Sequence, residues 1–471
     1  MTSTVTMPLW VLLLLLAFAA VTFASHFLFP SVRWFFRRRL ERAVARLNAR
    51  LTRPIEPFKL ARRSDMIQRL VYHPDVTRAI VAYAAKNHVR EDVAFEKARD
   101  YAREIVPSFS AFAYFSFGTR VANWLANLLY DVRNDPRNAA IIEGIDKDAT
   151  MIFIMNHRSN MDYVLVTTLA AQSSALSYAV GEWARVWPLS SLIKAMGAYF
   201  IRRRGRGGLY RTVLARYVQM ATTGGVTQAI FPEGGLTVDG KVKTAKLGLL
   251  SYLVEGWKPG GRDVVFVPIA INYDRVLEDR ILIAAGARGD RRFNARASVV
   301  LASFLRIMWQ QMRGRFGRFG TAAVVFAQPV RLSDYGTAPR LGDLGRDLMG
   351  RIEAAMPVVY VPVVAHLLQG SDRPMDEAAL AAGAAQMVEA SGATMPREDD
   401  AACEVARACT VLAERQAIIA VPGGWQTVPG GKSLLNYYAN SIAHFLPHSD
   451  DEDAVLHDAA AAPQISATAR S

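Results

Sequence analysis

The sequence predicts an α/β protein: a layered domain with a central mixed sheet flanked by helices, preceded by an N-terminal transmembrane helix. Three observations support this. From Ile141 onward, short apolar runs alternate with amphipathic segments, as strands alternate with packed helices. One such run, Met151–Met155, leads into Met-Asn-His-Arg-Ser-Asn-Met-Asp-Tyr at Met155–Tyr163, and another run follows at once. Ahead of these lies Met7–Phe29, apolar apart from Thr22, Ser25 and His26.

At a rise of about 1.5 Å per residue, Met7–Phe29 can cross a ~30 Å hydrocarbon core. Arg33, Arg37, Arg38, Arg39, Arg42 and Arg46 follow it, and no Lys or Arg precedes it. A secretory signal needs a basic start and a shorter apolar run, so the segment reads as an anchor with its arginines in the cytoplasm. Trp34, Phe35 and Phe36 suit the interface. Pro8, Pro30 and His26 keep open a helix lying in one leaflet. Arg37–Tyr130 reads as helices, with Glu41–Leu51, Asp92–Ile105 and Ala111–Tyr130 as candidates and Pro54, Pro57, Pro74 and Pro107 between them.

The strand candidates are Met151–Met155, Ala198–Ile201, Thr227–Phe231, Val264–Ile271 and Ala322–Ala327; the helix candidates are Tyr163–Ala171, Leu189–Met196, Tyr210–Thr222 and Lys246–Gly256. Arg291–Arg318 is basic, with Leu301, Phe304, Leu305, Met308 and Trp309 at helical spacing, a stripe that fits a core or a bilayer. Arg340–Ala355, Met375–Leu412 (broken by Gly392 and Pro396) and Leu434–Phe445 read as helices, and the tail after Pro447 as disordered. The expected organisation is an anchor at 1–32, a helical lead-in at 33–135, a catalytic α/β domain at 136–335, a helical region at 336–447 and a tail at 448–471.

The 471 residues exceed one ordinary domain, and 51% are apolar, with a formal net charge of +14. Mean hydropathy is +0.12 and the pI about 9.9. Such a charge favours anionic partners: phospholipid surfaces, phosphorylated substrates, acidic carrier proteins or nucleic acid. Cys403 and Cys409 would not face each other on a helix, and no His or Cys cluster completes a metal site, so both read as reduced thiols. There is no Walker loop, dinucleotide fingerprint or Gly-x-Ser-x-Gly elbow in a suitable context. Without an evident covalent nucleophile, direct transfer assisted by a base is the economical chemistry.

Four stretches are candidates for that chemistry. His157 on a strand-to-helix turn can take a proton from an alcohol, and Asp162 can fix its tautomer. Ser159 and Asp162 also have capping-box spacing and can simply start a helix. The run Gly197–Arg204 ends in Arg202, Arg203 and Arg204, which suit an anionic substrate but, taken alone, more often form a solvated or lipid-facing basic loop. Phe231–Gly235, Phe-Pro-Glu-Gly-Gly, is a turn that can bring backbone N–H groups to a ligand, with Glu233 able to bind a hydroxyl; Lys241, Lys243 and Lys246 follow. Val264–Ile271 contains Pro268, which lacks a ladder donor and so predicts an edge strand or a bulge.

In this order the four stretches resemble the blocks of the His-x4-Asp glycerolipid acyltransferases. The details look most like the glycerol-3-phosphate and dihydroxyacetone-phosphate acyltransferase branch. They are His157–Tyr163, the Gly-Ala-x-Phe-Ile-Arg-Arg run, Tyr-Asp-Arg-Val-Leu-Glu at Tyr273–Glu278, and Leu435–Phe445 with Tyr437, Tyr438, Asn440 and His444. The resemblance covers roughly Arg99–Leu446. It implies that His157 is the base and Asp162 its orienting partner. It further implies that Arg202 and Arg203 bind phosphate, that Glu233 and Gly234 place the glycerol part, and that Pro268 borders the acyl-donor pocket. The family's third block usually continues with Arg-Ser-Arg, where this chain has Leu236, Thr237 and Val238; Lys241 and Lys246 match basic positions further on.

The implied function is a membrane-anchored O-acyltransferase moving a fatty acyl group from acyl-CoA or acyl carrier protein to glycerol 3-phosphate. It would be single-pass in the inner membrane, facing the cytoplasm and an anionic lipid surface, with no cofactor, metal or nucleic acid. The alternatives are a 1-acylglycerol-3-phosphate acyltransferase making phosphatidate, and a catalytically silent basic protein that binds a membrane surface.

Overall fold

The computed structural model describes residues 8–170, 174–181, 189–202, 207–289, 313, 317–391 and 401–445. Arg203, nearly all of Arg291–Arg318, the Gly392–Pro396 break and the acidic tail lie outside the described residues. Two compact units divide the chain, Met1–Pro54 and Ile55–Ser471.

The first unit contains one helix, Leu9–Asn48. It does not stop where the expected anchor ends but continues through the arginines. Among the described residues no helix is long and apolar enough to cross a membrane, so the transmembrane anchor is not supported. Within the expected span only the side chains of residues 8–19 are described; Leu9, Trp10, Phe18 and Leu12 to Leu16 are exposed.

The second unit is built on a sheet of eight strands, among the described residues: β1 (Asp131–Asn134), β2 (Thr150–Met155), β3 (Ser177–Gly181), β4 (Tyr199–Ile201), β5 (Gln228–Ile230), β6 (Val264–Tyr273), β7 (Thr321–Phe326) and β8 (Val330–Arg331). The order is β1-β7-β6-β2-β5-β3-β4, with β8 also paired to β6. Strands β6, β2, β5, β3 and β4 run parallel to their neighbours, whereas β7 and β8 are antiparallel to β6. A mixed sheet of this kind was expected, but β1, β3 and β8 were not.

The two-residue alternation of a strand divides the core into two layers. Met151, Phe153 and Met155 of β2 and Val265, Val267, Ile269 and Ile271 of β6 pack with the helices Met161–Ala170, Tyr360–Gln369, Ala401–Glu414 and Lys432–Ala439. Ile152 and Ile154, with Val264, Phe266 and Ala270, pack on the other face with Pro74–Asn87, Glu91–Ile105, Gly208–Thr223, Leu247–Gly256 and Leu341–Ala354. Burying each large aliphatic or aromatic side chain here contributes about 1.5–3 kcal/mol. Helices from both the lead-in and the C-terminal region therefore pack directly on the sheet.

Pro268 is not on an edge strand. It pairs with Ile154 on one side, in the middle of a ten-residue strand buried throughout. On its other side the partner changes: β8 pairs with Val265 and Phe266, and β7 with Ile269 onward. The break at residues 327–329 falls opposite Pro268, whose carbonyl accepts from the Ala327 N–H at 2.9 Å. The missing donor thus faces a gap in the neighbour, and a central strand tolerates the proline.

Candidate active site

β2 ends at Met155, and the chain turns through Asn156–Asn160 into the helix Met161–Ala170. Asn156 extends the strand with its side chain: Nδ2 donates to Ile271 O and Oδ1 accepts from Ile271 N, both at 2.9 Å. His157 then begins the turn. Its Nδ1 lies 2.9 Å from Asp162 Oδ2.

Asp162 is fully buried and surrounded by donors. Oδ2 also accepts the Arg158 N–H at 2.8 Å and the Ser159 N–H at 3.0 Å, while Oδ1 accepts the Tyr273 hydroxyl at 2.5 Å. Burial holds the Tyr273 phenol well above its ordinary pKa, and the nearby Asp162 adds to this, so Tyr273 stays a donor. Ser159 and Asp162 do start the helix, as their spacing predicts. Asp162 caps the turn from its own first helical turn, Ser159 Oγ accepts from Met161 N at 3.1 Å, and the same carboxylate takes the imidazole. With Nδ1–H directed at Asp162, Nε2 is the nitrogen left for the cavity that His157 lines.

The Tyr273–Glu278 motif explains how this turn keeps its shape. Glu278 Oε2 accepts the Ser159 hydroxyl at 2.8 Å, and Oε1 accepts Asn160 N at 3.2 Å and Nδ2 at 2.9 Å. Asp274 accepts the backbone N–H of Thr321 at 2.7 Å and of Val361 at 3.0 Å, fixing β7 and a C-terminal helix. The motif thus braces the His157–Asp162 turn from the end of β6. In sequence its signal is a tyrosine closing a long apolar run and followed by acids.

A cavity of about 460 Å³ opens beside His157. His157, Gly181, Ile201 and Phe231 bring it to the carboxyl ends of β2, β3, β4 and β5, the usual ligand position in parallel sheets. Phe231 stacks on the imidazole at 4.1 Å between centroids, and Tyr163 meets it edge-on at 5.6 Å. Leu214, Ile230, Leu249 and Tyr252 make an apolar wall, and Arg211 and Lys246 bring positive charge.

Gly234 has φ of 68° and lines the cavity; a Cβ there would come within 3.0 Å of Lys246 Nζ. The left-handed backbone favours glycine at that position, whereas the close neighbour is the flexible end of Lys246, which can shift.

The other expected residues are placed differently. Glu233 is buried and outside the cavity wall; its Oε1 accepts the His157 N–H at 3.0 Å, and Oε2 has no partner among the described residues. Burial pushes its carboxyl up to about 8. Arg202 does not line the cavity. Its guanidinium grips Glu104 of the helix Glu91–Ile105, with Nε at 2.9 Å and Nη2 at 2.5 Å, over the rings of Tyr101 and Tyr210. Strand alternation accounts for this, since Ile201 faces the cavity and its neighbour faces away. Lys241 is exposed and outside the wall, and Pro268 lies within the sheet, level with Ile154 rather than at the cavity. Arg211, missed in the sequence, is the arginine among the described residues that lines the cavity. It sits in the first turn of the helix after the arginine block. Among the described residues no group of His, Cys, Asp and Glu could hold a metal.

Residues 137–272 match the family model described as Acyltransferase. A glycerol-3-phosphate acyltransferase of Pseudomonas syringae pv. tomato is 27% identical over 283 residues, covering 59% of this chain and 32% of that protein. One from Pseudomonas fluorescens is 28% identical over 286 residues, covering 59% and 32%. The chain thus spans about a third of the length of these curated relatives. The structure of a 1-acyl-sn-glycerophosphate (LPA) acyltransferase, PlsC, from Thermotoga maritima aligns at 21% identity and a TM-score of 0.32, covering 50% of this chain and 76% of that one. Residues 137–272 are thus similar to acyltransferase domains, and the curated relatives they match bear the name glycerol-3-phosphate acyltransferase.

Proposed function

We propose that this acyltransferase domain moves a fatty acyl group from an acyl thioester directly to a hydroxyl of glycerol 3-phosphate, making lysophosphatidate. The observation that carries the reading is the His157 Nδ1–Asp162 contact at 2.9 Å beside a cavity with apolar and cationic walls. His157 Nε2 takes the hydroxyl proton as the oxygen bonds to the thioester carbonyl carbon. The tetrahedral adduct collapses, the C–S bond breaks, and the leaving thiolate takes the proton from the imidazolium. Asp162 stabilises that imidazolium, and Tyr273, Arg158 N–H and Ser159 N–H hold Asp162.

Arg211 and Lys246 are assigned to the acceptor phosphate in place of Arg202, because they line the cavity and Arg202 is committed to Glu104. The apolar wall of Leu214, Leu249 and Tyr252 suits the acyl chain. The donor is an acyl-CoA or an acyl carrier protein thioester, both anionic and so suited to a chain of charge +14.

Association with an anionic membrane at the cytoplasmic face of the cell is part of the proposal. In its support, Leu9, Trp10 and Phe18 are exposed on the first helix, and Phe112, Phe117 and Trp124 are exposed ahead of the sheet.

The test offers glycerol 3-phosphate and lysophosphatidate in parallel to purified protein with a radiolabelled acyl thioester. Preferential labelling of glycerol 3-phosphate is expected. Preferential labelling of lysophosphatidate would mean that Leu236, Thr237 and Val238 mark a different acceptor, and labelling of neither would overturn the reading.

A further inference from the structure

Arg158 follows the catalytic histidine directly, yet it is 2% exposed and is not in the cavity wall. Its Nη1 donates to Gly240 O at 2.8 Å, and its Cζ lies 5.4 Å from the ring centre of Tyr437. Nε and Nη2 have no partner among the described residues. A buried guanidinium with two bare donors is a costly way to fill a core, and side chains kept at such cost cluster at functional positions.

The surrounding contacts all lead to the C-terminal helix Lys432–Ala439. Gly240 has φ of 86°, and a Cβ there would lie 1.8 Å from Tyr437 O, so loop and helix touch backbone to backbone. Asn440 Nδ2 donates to Asp239 O at 2.8 Å. From the same loop, Thr237 N donates to His157 O at 2.9 Å. Tyr438 OH accepts Val276 N at 3.0 Å and donates to Asp279 at 2.8 Å, beside the bracing motif.

We infer that Arg158 is a positioning residue through which the helix Lys432–Ala439, outside the matched acyltransferase domain, sets the place of His157 and Asp162. The ring of Tyr437 and the carbonyl of Gly240 fix the guanidinium, and the backbone of Arg158 carries that placement to Asp162 Oδ2. The Tyr437 hydroxyl has no partner and the ring alone is used.

The inference rests on His157 as the base, which His157→Ala beside wild type tests by itself; the ratio of each further variant to wild type tests the inference. Tyr437→Leu and Arg158→Lys are expected to lower kcat by ~10²-fold with KM for both substrates changed less than about threefold, the effect of a misplaced catalytic group. Tyr437→Phe keeps the ring and is expected to match wild type. In a His157→Ala background, Tyr437→Leu is expected to cost nothing more, since its effect passes through His157. Asn440→Ala weakens the same loop contact and supplies a folded variant if the melting curve shows that Tyr437→Leu has lost the fold; it is expected to lower kcat in the same KM-independent way. Equal loss in the Phe and Leu variants, a change confined to KM, or full additivity with His157→Ala would overturn the inference.

Discussion

Glu233 is a buried carboxyl that braces the His157 turn from outside the cavity wall. It receives the His157 N–H and is pushed up to about 8 by burial, from an ordinary 4.5. Between these values the folded chain holds a proton that the unfolded chain has released. Folding therefore takes up a proton, and this contribution to stability falls as pH rises from about 4.5 through 8. Glu233→Gln keeps an acceptor oxygen for His157 and has no proton to lose. Relative to that variant, the stability of wild type is expected to fall by up to ~1.4 kcal/mol per pH unit across this window, read from unfolding at pH 5, 6, 7 and 8. A difference that stays flat with pH would place Glu233 in the ionised state throughout. In sequence, Glu233 stands among glycines next to lysines and looks like a substrate ligand. Its burial depends on β5 ending against β2, which a local reading does not contain.

At the scale of elements, the sheet was legible where strands are buried on both faces. β2, β6 and β7 are continuous apolar runs, and their predicted bounds differ from the observed ones by at most two residues. β1, Asp-Val-Arg-Asn, is a polar strand at the sheet edge, paired only to β7, and it carries no such pattern. Pro268 misled for a related reason: whether a proline is tolerated depends on the gap opposite it, which lies some sixty residues further along the chain.

The arginine block shows the same limit. Glu104, the partner of Arg202, is 98 residues away, and it changes the residue from a ligand into a clamp on the helix Glu91–Ile105. Arg202→Ala is therefore expected to lower the melting temperature and leave the acceptor KM near wild type. Arg211→Ala is expected to raise that KM by roughly tenfold, the loss of one charge-assisted contact, with the donor KM little changed. The reverse pattern in steady-state kinetics would return the phosphate to Arg202.

For the whole molecule, the His157–Asp162 turn is held from three distant parts of the chain: β6 with its Tyr273–Glu278 extension, the Thr237–Gly240 loop and the helix Lys432–Ala439. The first three blocks were legible because each is a strand end followed by a polar cluster, and a parallel sheet delivers such ends to one side; the fourth, around Pro268, lies within β6 instead. The bracing residues were visible only as a resemblance. Their role rests on contacts such as Tyr273 to Asp162, 111 residues apart. The N-terminal segment shows the opposite case, since hydropathy alone predicted a bilayer span where the structure has one helix running on to Asn48.

All of these relations depend on His157 acting as the base. The most direct measurement is steady-state acylation of glycerol 3-phosphate by His157→Ala beside wild type, at equal folded concentration. Loss of ~10²–10⁴-fold in kcat is predicted, the usual worth of a positioned base. Turnover within a few-fold of wild type would contradict the account and leave the His157–Asp162 pair as a helix cap.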